Sequence, residues 1–304
     1  MVISRETKCN MKMKQLNSIV TLVALVALPG LLQAQPTSHY CPGSEGLLGA
    51  SVPPPGWYVR DYNVFYSSDR VNNSAGESAG PPNFNVFTYA QVPRVIWVTP
   101  AKLLGANVGV NALMPILYED IRAGALDTSG LSAGDLFVDS FLAWHPKRFD
   151  FVAAAGFWAP TGNYGSPTDA GLGYWTCMLT FGGTWYITPD KAWAISLLNR
   201  YENNSEQRDT HITHGNAYTL EWGISRKIWK GIEVGPAGYV QTKVTKDSGP
   251  NASPDRDSVA SVGPEIGGMI PKIEVLASVR YLYEFMAMNR AQGQTVTLTL
   301  TKRF

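Results

Sequence analysis

The sequence holds little charge: Lys, Arg, Asp and Glu make up 16% of its 304 residues, where water-soluble domains are nearer a quarter. It has four histidines and three cysteines, and past residue 34 it lacks any apolar run of helix-spanning length. A polytopic helical membrane protein is thereby excluded. Aromatic residues, in contrast, reach 11%. Low charge, many aromatics and no spanning helix leave two candidates, a β-barrel that crosses a membrane by alternation or an extracellular β-sandwich.

The N-terminus reads as an export signal. Arg5, Lys8, Lys12 and Lys14 precede the apolar run 19–28, and Ala34 suits a signal-peptidase cut. Met11 offers a second start with a more compact basic region. The core is shorter than the ~20 residues of a membrane anchor, and no cysteine at the cut marks a lipoprotein. Removing residues 1–34 leaves 21 basic and 23 acidic residues, a balance that excludes a nucleic-acid binder. Cys41 and Cys177 remain, and free thiols are the default reading.

Reading for strands of about ten residues bounded by Gly, Pro, Asn and Asp gives twelve, at 57–67, 84–98, 103–117, 135–145, 149–159, 174–187, 191–202, 217–229, 231–245, 258–270, 272–286 and 294–304. Their connections alternate in length. Loops at 68–83, 118–134, 160–173, 203–216 and 246–257 take turns with the short "TPAK", "HPKR", "TPDK", "WKG" and "PK", and a short link covers 287–293. An outer-membrane barrel has one rim of long loops and one of tight turns, whereas a sandwich has no reason to alternate so regularly. The fold expected is therefore an all-β, up-and-down antiparallel transmembrane barrel of about 12 strands. Its domains are a signal peptide at 1–34, a leader or plug at 35–56 and the barrel at 57–304.

The short turns share a chemistry. Pro100, Pro146, Pro189 and Pro271 stand beside or near Lys102, Lys147, Lys191 and Lys272, and Trp97, Trp144, Trp185, Trp193 and Trp229 lie next to the same turns. That is the composition of a headgroup belt. The tail "GQTVTLTLTKRF" places Val296, Leu298, Leu300 and Phe304 on one face and Thr295, Thr297, Thr299 and Thr301 on the other. Phe304 is expected to carry the tag read by the barrel assembly machinery. Interior Gly and Pro (Pro115, Gly156 with Pro160, Gly182 with Gly183, Gly235 with Pro236, Gly263 with Pro264) predict bulges, kinks or simple curvature, or a lateral opening for an apolar solute.

Charged residues at strand positions are expected to face the lumen, since a mid-depth Arg or Lys facing lipid costs about 2–4 kcal/mol. The candidate lumen-lining set is Arg60, Arg94, Asp139, Glu221, Arg226, Glu233, Glu265, Arg280 and Glu284, joined by Asp61, Arg200 and Lys243. Their mixed signs would cross-brace the interior. Apolar residues on both faces of "RVIWV", "VGVNAL" and "EVLASVRYLYEF" argue for a narrow lumen with greasy patches over a wide aqueous pore.

"PPPGWYVRDYNVFYSSD" (Pro53–Asp69), "AAGFWAPTGNY" (Ala154–Tyr164), "WAISLLNRYENN" (Trp193–Asn204) and the tail resemble the outer-membrane proteins associated with the meta-cleavage pathway of phenol degradation, over roughly residues 47–304. The resemblance implies a monomeric channel in outer-membrane lipid that passes small hydrophobic or aromatic solutes. It also implies a distant similarity to fatty-acid channels, in which an N-terminal piece plugs the lumen; segment 35–56 is either such a plug or a periplasmic leader. The competing functions are a general narrow porin and an outer-membrane lipid-modifying enzyme. For the enzyme the sequence offers little. His39 lies in the leader, His145 in a turn, and the "HITH" pair His211 and His214 lacks a third ligand in any recognised pattern. Gly165 and Ser166 lack a nucleophile-elbow context. No catalytic residue, cofactor or metal is expected.

Overall fold

A computed structural model describes residues 38–304, so the expected signal peptide and its cut at Ala34 lie outside the described residues. The chain forms β1 (Gly56–Ser68), β2 (Val71–Asn72), β3 (Asn85–Leu103), β4 (Ala106–Leu113), β5 (Ile116–Ala123), β6 (Leu126–Ala133), β7 (Leu136–Trp144) and β8 (Phe149–Ala159). There follow β9 (Thr176–Tyr186), β10 (Trp193–Asn204), β11 (Ala217–Lys227), β12 (Glu233–Lys243), β13 (Ser258–Ile270), β14 (Val275–Met288), β15 (Arg290–Ala291) and β16 (Gln294–Arg303). Neighbouring strands pair antiparallel. Arg60 of β1 faces Thr301 of β16 on one side and Arg94 of β3 on the other, which closes the sheet on itself. Closure satisfies the amide groups of both edge strands inside the wall, the condition that lipid imposes.

Counting β4 with β5 and β6 with β7, the barrel has twelve strands. From Asn85 to Val98, β3 pairs with β5 and then β4 in one register, and the partner strand is broken only at Met114–Pro115. Opposite that break, Gly134 and Asp135 separate β6 from β7. The expected loop at 118–134 is therefore corrected: most of it is hairpin, extending the wall past the proline and turning at Gly124–Ala125. "TPAK" is corrected too. β3 runs through Pro100 with a register shift between Val98 and Lys102, and the chain turns at Leu104 (φ 53°) and Gly105 (φ 81°). Two positive φ values are what a two-residue hairpin with the twist of its strands demands.

The Gly–Pro sites keep their register. Pro236 lies directly opposite Pro264, and the register of β12 against β11 and of β13 against β14 is the same on either side. These positions omit ladder bonds without inserting a residue. Glycine is needed beside them because a Cβ on Gly235 or Gly263 would collide with the carbonyl oxygen of Ile224 or Tyr281.

Alternation sorts the two faces. In β16, Thr297 and Thr301 are buried and Val296 is 41% exposed, and Phe304, the residue after the strand, is 73% exposed. Val59, Phe65, Val95, Leu179, Phe181 and Ile266 are likewise exposed on the outward face, as lipid contact requires. At the short-turn rim Trp97, Trp185, Trp193 and Trp229 are exposed, Trp57 stacks on Trp97 at 5.0 Å, and Trp144 donates to the Leu104 carbonyl. Lys302 stands 5.9 Å from the Phe304 ring. At the other rim β2 pairs with β15.

Candidate functional site: a lumen crossed by the N-terminal segment

Residues 38–55 run through the barrel interior and bond to side chains on strands from around the wall. Ser38 donates to Glu202, and the Tyr40 backbone N–H donates to the same carboxylate at 3.0 Å. The Tyr40 hydroxyl donates to Glu221 at 2.7 Å, and its ring lies under the Arg200 guanidinium at 4.0 Å. Further along, Arg280 donates to the carbonyls of Gly43 and Ser44, and Leu47 N–H donates to Glu265 at 3.0 Å. Ala50 N–H reaches Ser196, and the Ser51 hydroxyl reaches Thr184. The wall supplies charged and hydroxyl groups where the irregular segment presents orphan backbone groups, which satisfies them without secondary structure.

Glycine makes the fit close. A Cβ on Gly46 would overlap the Glu265 carboxylate and the Arg280 guanidinium, and one on Gly223 would stand 2.6 Å from Leu47 Cα. Gly182 leaves room for Ala50 in the same way.

At the centre is one carboxylate. Glu45 accepts from Arg94 at 2.7 Å, from Arg60 at 3.0 Å and from the Tyr62 hydroxyl at 3.0 Å, with Arg200 at 3.7 Å. Burial alone would raise its pKa, but Arg60, Arg94 and Arg200, helped by Tyr62, more than offset that and hold it at about 2. Arg200 also pairs with Glu221, which accepts the Glu45 backbone N–H at 3.0 Å. Arg94 continues through Asn111 at 3.0 Å to Asp139.

The sequence candidates divide by face. Besides Arg60, Arg94, Arg200, Glu221 and Asp139, the interior holds the Glu265–Arg280 pair at 3.0 Å. It also holds Glu284, which accepts from Tyr239 at 2.6 Å and Tyr66 at 3.1 Å. Lys243 pairs with Asp247, and Glu233 accepts from Ser225 near the short-turn rim.

Two residues are corrected. Arg226 lies on the outward face, where it pairs across the ladder with Trp193 and sits 5.1 Å from that ring, because its neighbour Ser225 takes the inward position. Asp61 also points outward, since Arg60 beside it points in; its carboxylate accepts from Asn63 at 2.9 Å and Gln91 at 3.3 Å. Period-two alternation forbids two adjacent residues from sharing the lumen, so Arg60–Asp61 could never both line it.

Sequence reasoning missed Glu45, Tyr40, Glu202 and Asp135. A signal for Glu45 was present: it is the one acidic residue in segment 35–56.

His39 is held by Asp135 at 2.8 Å and by Thr176 at 2.8 Å, stacked on Trp158 and edge-on to Tyr174. This chain of Thr, His and Asp has the order of a nucleophile relay, but its protons run the wrong way. Asn204 gives its amide hydrogens to the carbonyls of His214 and Gly215, so its oxygen accepts the Thr176 hydroxyl proton, and Thr176 has none left for the imidazole. Thr176 is also fully buried. The arrangement anchors the segment. His211 pairs with Glu206, and His214 lies 3.5 Å from Asp247; no group of three metal-ligating side chains occurs among the described residues. Cys41 and Cys177 are free.

A closed twelve-stranded wall, lipid-facing outside and crossed by its own N-terminal segment, defines a transmembrane barrel of the outer-membrane type. Residues 68–300 match the family described as "Putative MetA-pathway of phenol degradation", and the chain belongs to that family. Among solved structures it is similar to an outer-membrane channel from Pseudomonas putida F1, at 14% identity and a TM-score of 0.75, over 87% of this chain and 100% of that one. It is less similar to the β domain of the Bordetella autotransporter BrkA (14% identity, TM-score 0.47, 82% and 99% covered). The CymD monoaromatic hydrocarbon channel gives 9% identity, a TM-score of 0.44 and coverage of 82% and 89%. No curated protein matches the sequence.

Proposed function

We propose that this protein is a monomeric channel, exported by a cleaved signal peptide, that passes small hydrophobic or aromatic compounds across the outer membrane. The observation that carries this reading is the inner face. Tyr58, Tyr62, Phe137, Phe141, Trp158 and Tyr239 are buried on it, so a passing solute meets rings and aliphatic groups between the charged pairs. Membership of a family described by phenol degradation supports the same solute class. A wide porin would leave its charges to water, whereas here they are paired between neighbouring strands or bound to the segment. Neither Thr176 nor the outer-loop histidines offer an activated nucleophile, which supports transport over catalysis. Phe304, exposed at the end of the last strand, is available to the assembly machinery.

Planar bilayers separate the two transport readings. A solute channel closed by its segment gives small, flickering currents at rest, and large steady conductance from the unmodified protein would favour the porin.

A further inference from the structure

We propose that Arg60, Arg94 and Arg200, with the Tyr62 hydroxyl, form a carboxylate-binding site in the lumen, and that Glu45 occupies it as a tethered stand-in for the carboxylate of an aromatic acid. The inference rests on the channel reading above and adds aromatic acids to its solute class.

Three guanidinium groups from β1, β3 and β10 point at one carboxylate that belongs to the segment and not to the wall. The wall balances them only in part. Arg200 has Glu221, and Arg94 reaches Asp139 through Asn111, but Arg60 is left with the neutral groups of Thr301 and Tyr62. Arg200 Nε is buried without a protein acceptor even with Glu45 in place. If the segment withdraws, Arg60 and Arg94, 20% and 16% exposed while it is docked, lose their direct carboxylate partner, and another anion is favoured in its place. An incoming carboxylate makes the exchange charge-neutral. Arginine also fits the planar group with two parallel donors, while the Tyr62 ring, 6.0 Å from the Arg60 guanidinium, offers a face close by. A neutral hydrocarbon cannot displace Glu45 in this way, so the site distinguishes aromatic acids from their uncharged analogues.

The test measures binding of benzoate and of its neutral isostere benzamide to the full-length protein in detergent by calorimetry. Glu45→Gln removes the competing charge and keeps the side-chain shape. Benzoate is expected to bind this variant about tenfold more tightly than the wild type, benzamide equally to both, and Arg94→Gln added to Glu45→Gln to erase the gain. Equal benzoate affinity in wild type and Glu45→Gln, or an equal gain for benzamide, overturns the proposal. Should Glu45→Gln fail to assemble, Glu45→Asp, whose shorter carboxylate reaches the arginines less well, gives the same comparison with a smaller gain. Phenol uptake is scored separately: its absence alongside the benzoate gain removes the channel reading and leaves the site, and the converse removes only the site.

Discussion

Gly46 is where docking of the N-terminal segment can be perturbed with least change to the wall. In Gly46→Ala the new methyl group would overlap both oxygens of Glu265 and the Arg280 guanidinium, the pair that holds the segment through Leu47 N–H and the carbonyls of Gly43 and Ser44. Gly46 is not among the positive-φ residues, so the backbone accepts alanine and the whole effect is space. Overpacking of this kind costs about 1–3 kcal/mol, which shifts the docking equilibrium about 5–150-fold toward release. A glutamyl endopeptidase reads that equilibrium, since Glu45 is shielded by Arg60, Arg94 and Tyr62 when docked. When opening and closing outpace cleavage, the cutting rate follows the released population. Cleavage after Glu45 should therefore accelerate about 5–150-fold in Gly46→Ala. An unchanged rate in a correctly assembled variant would refute the close fit.

Acid should release the segment as well. Glu45 is held at about 2, below the 4.5 of a free side chain, so its contribution is complete above pH 4.5 and is lost as pH falls from there toward 2, about 3 kcal/mol in all. Single-channel conductance should rise over that window in the wild type and not in Glu45→Gln. Asp61→Leu should stabilise the barrel by about 1 kcal/mol, because it replaces a lipid-facing carboxylate; urea titration in detergent or lipid measures it. Deleting Phe304 should lower the fraction of protein that assembles in cells, read from heat-modifiable migration on gels, while leaving the conductance of assembled channels unchanged.

The wall was legible because its code is simple. Loop lengths that alternate and strands such as β16, with threonine inward and aliphatic outward, follow from period two and a lipid exterior, and both can be counted in one sequence. The chain beyond the break at Pro115 was misread as a loop at 118–134, because Asp120, Gly124, Asp127, Ser129 and Gly130 have the composition of one. Here the register of β3 continues past the break, a long-range fact that no local window holds. The site was half legible. Charge at strand positions found Arg60, Arg94, Glu221, Glu265 and Arg280, but hydrophobicity alone could not assign Asp61 or Arg226 to a face. The partners of the lumen charges in residues 38–55 stayed hidden because that segment has no periodicity; its order comes from the wall around it.

Uptake of phenol into liposomes whose outer leaflet carries lipopolysaccharide, which slows unaided entry, decides whether the barrel passes a small aromatic solute. Reconstituted wild-type protein should speed uptake well above that of empty liposomes, and Gly46→Ala should speed it further. Uptake equal to that of empty liposomes, with the barrel folded and inserted, would show that the protein is not a channel for such solutes.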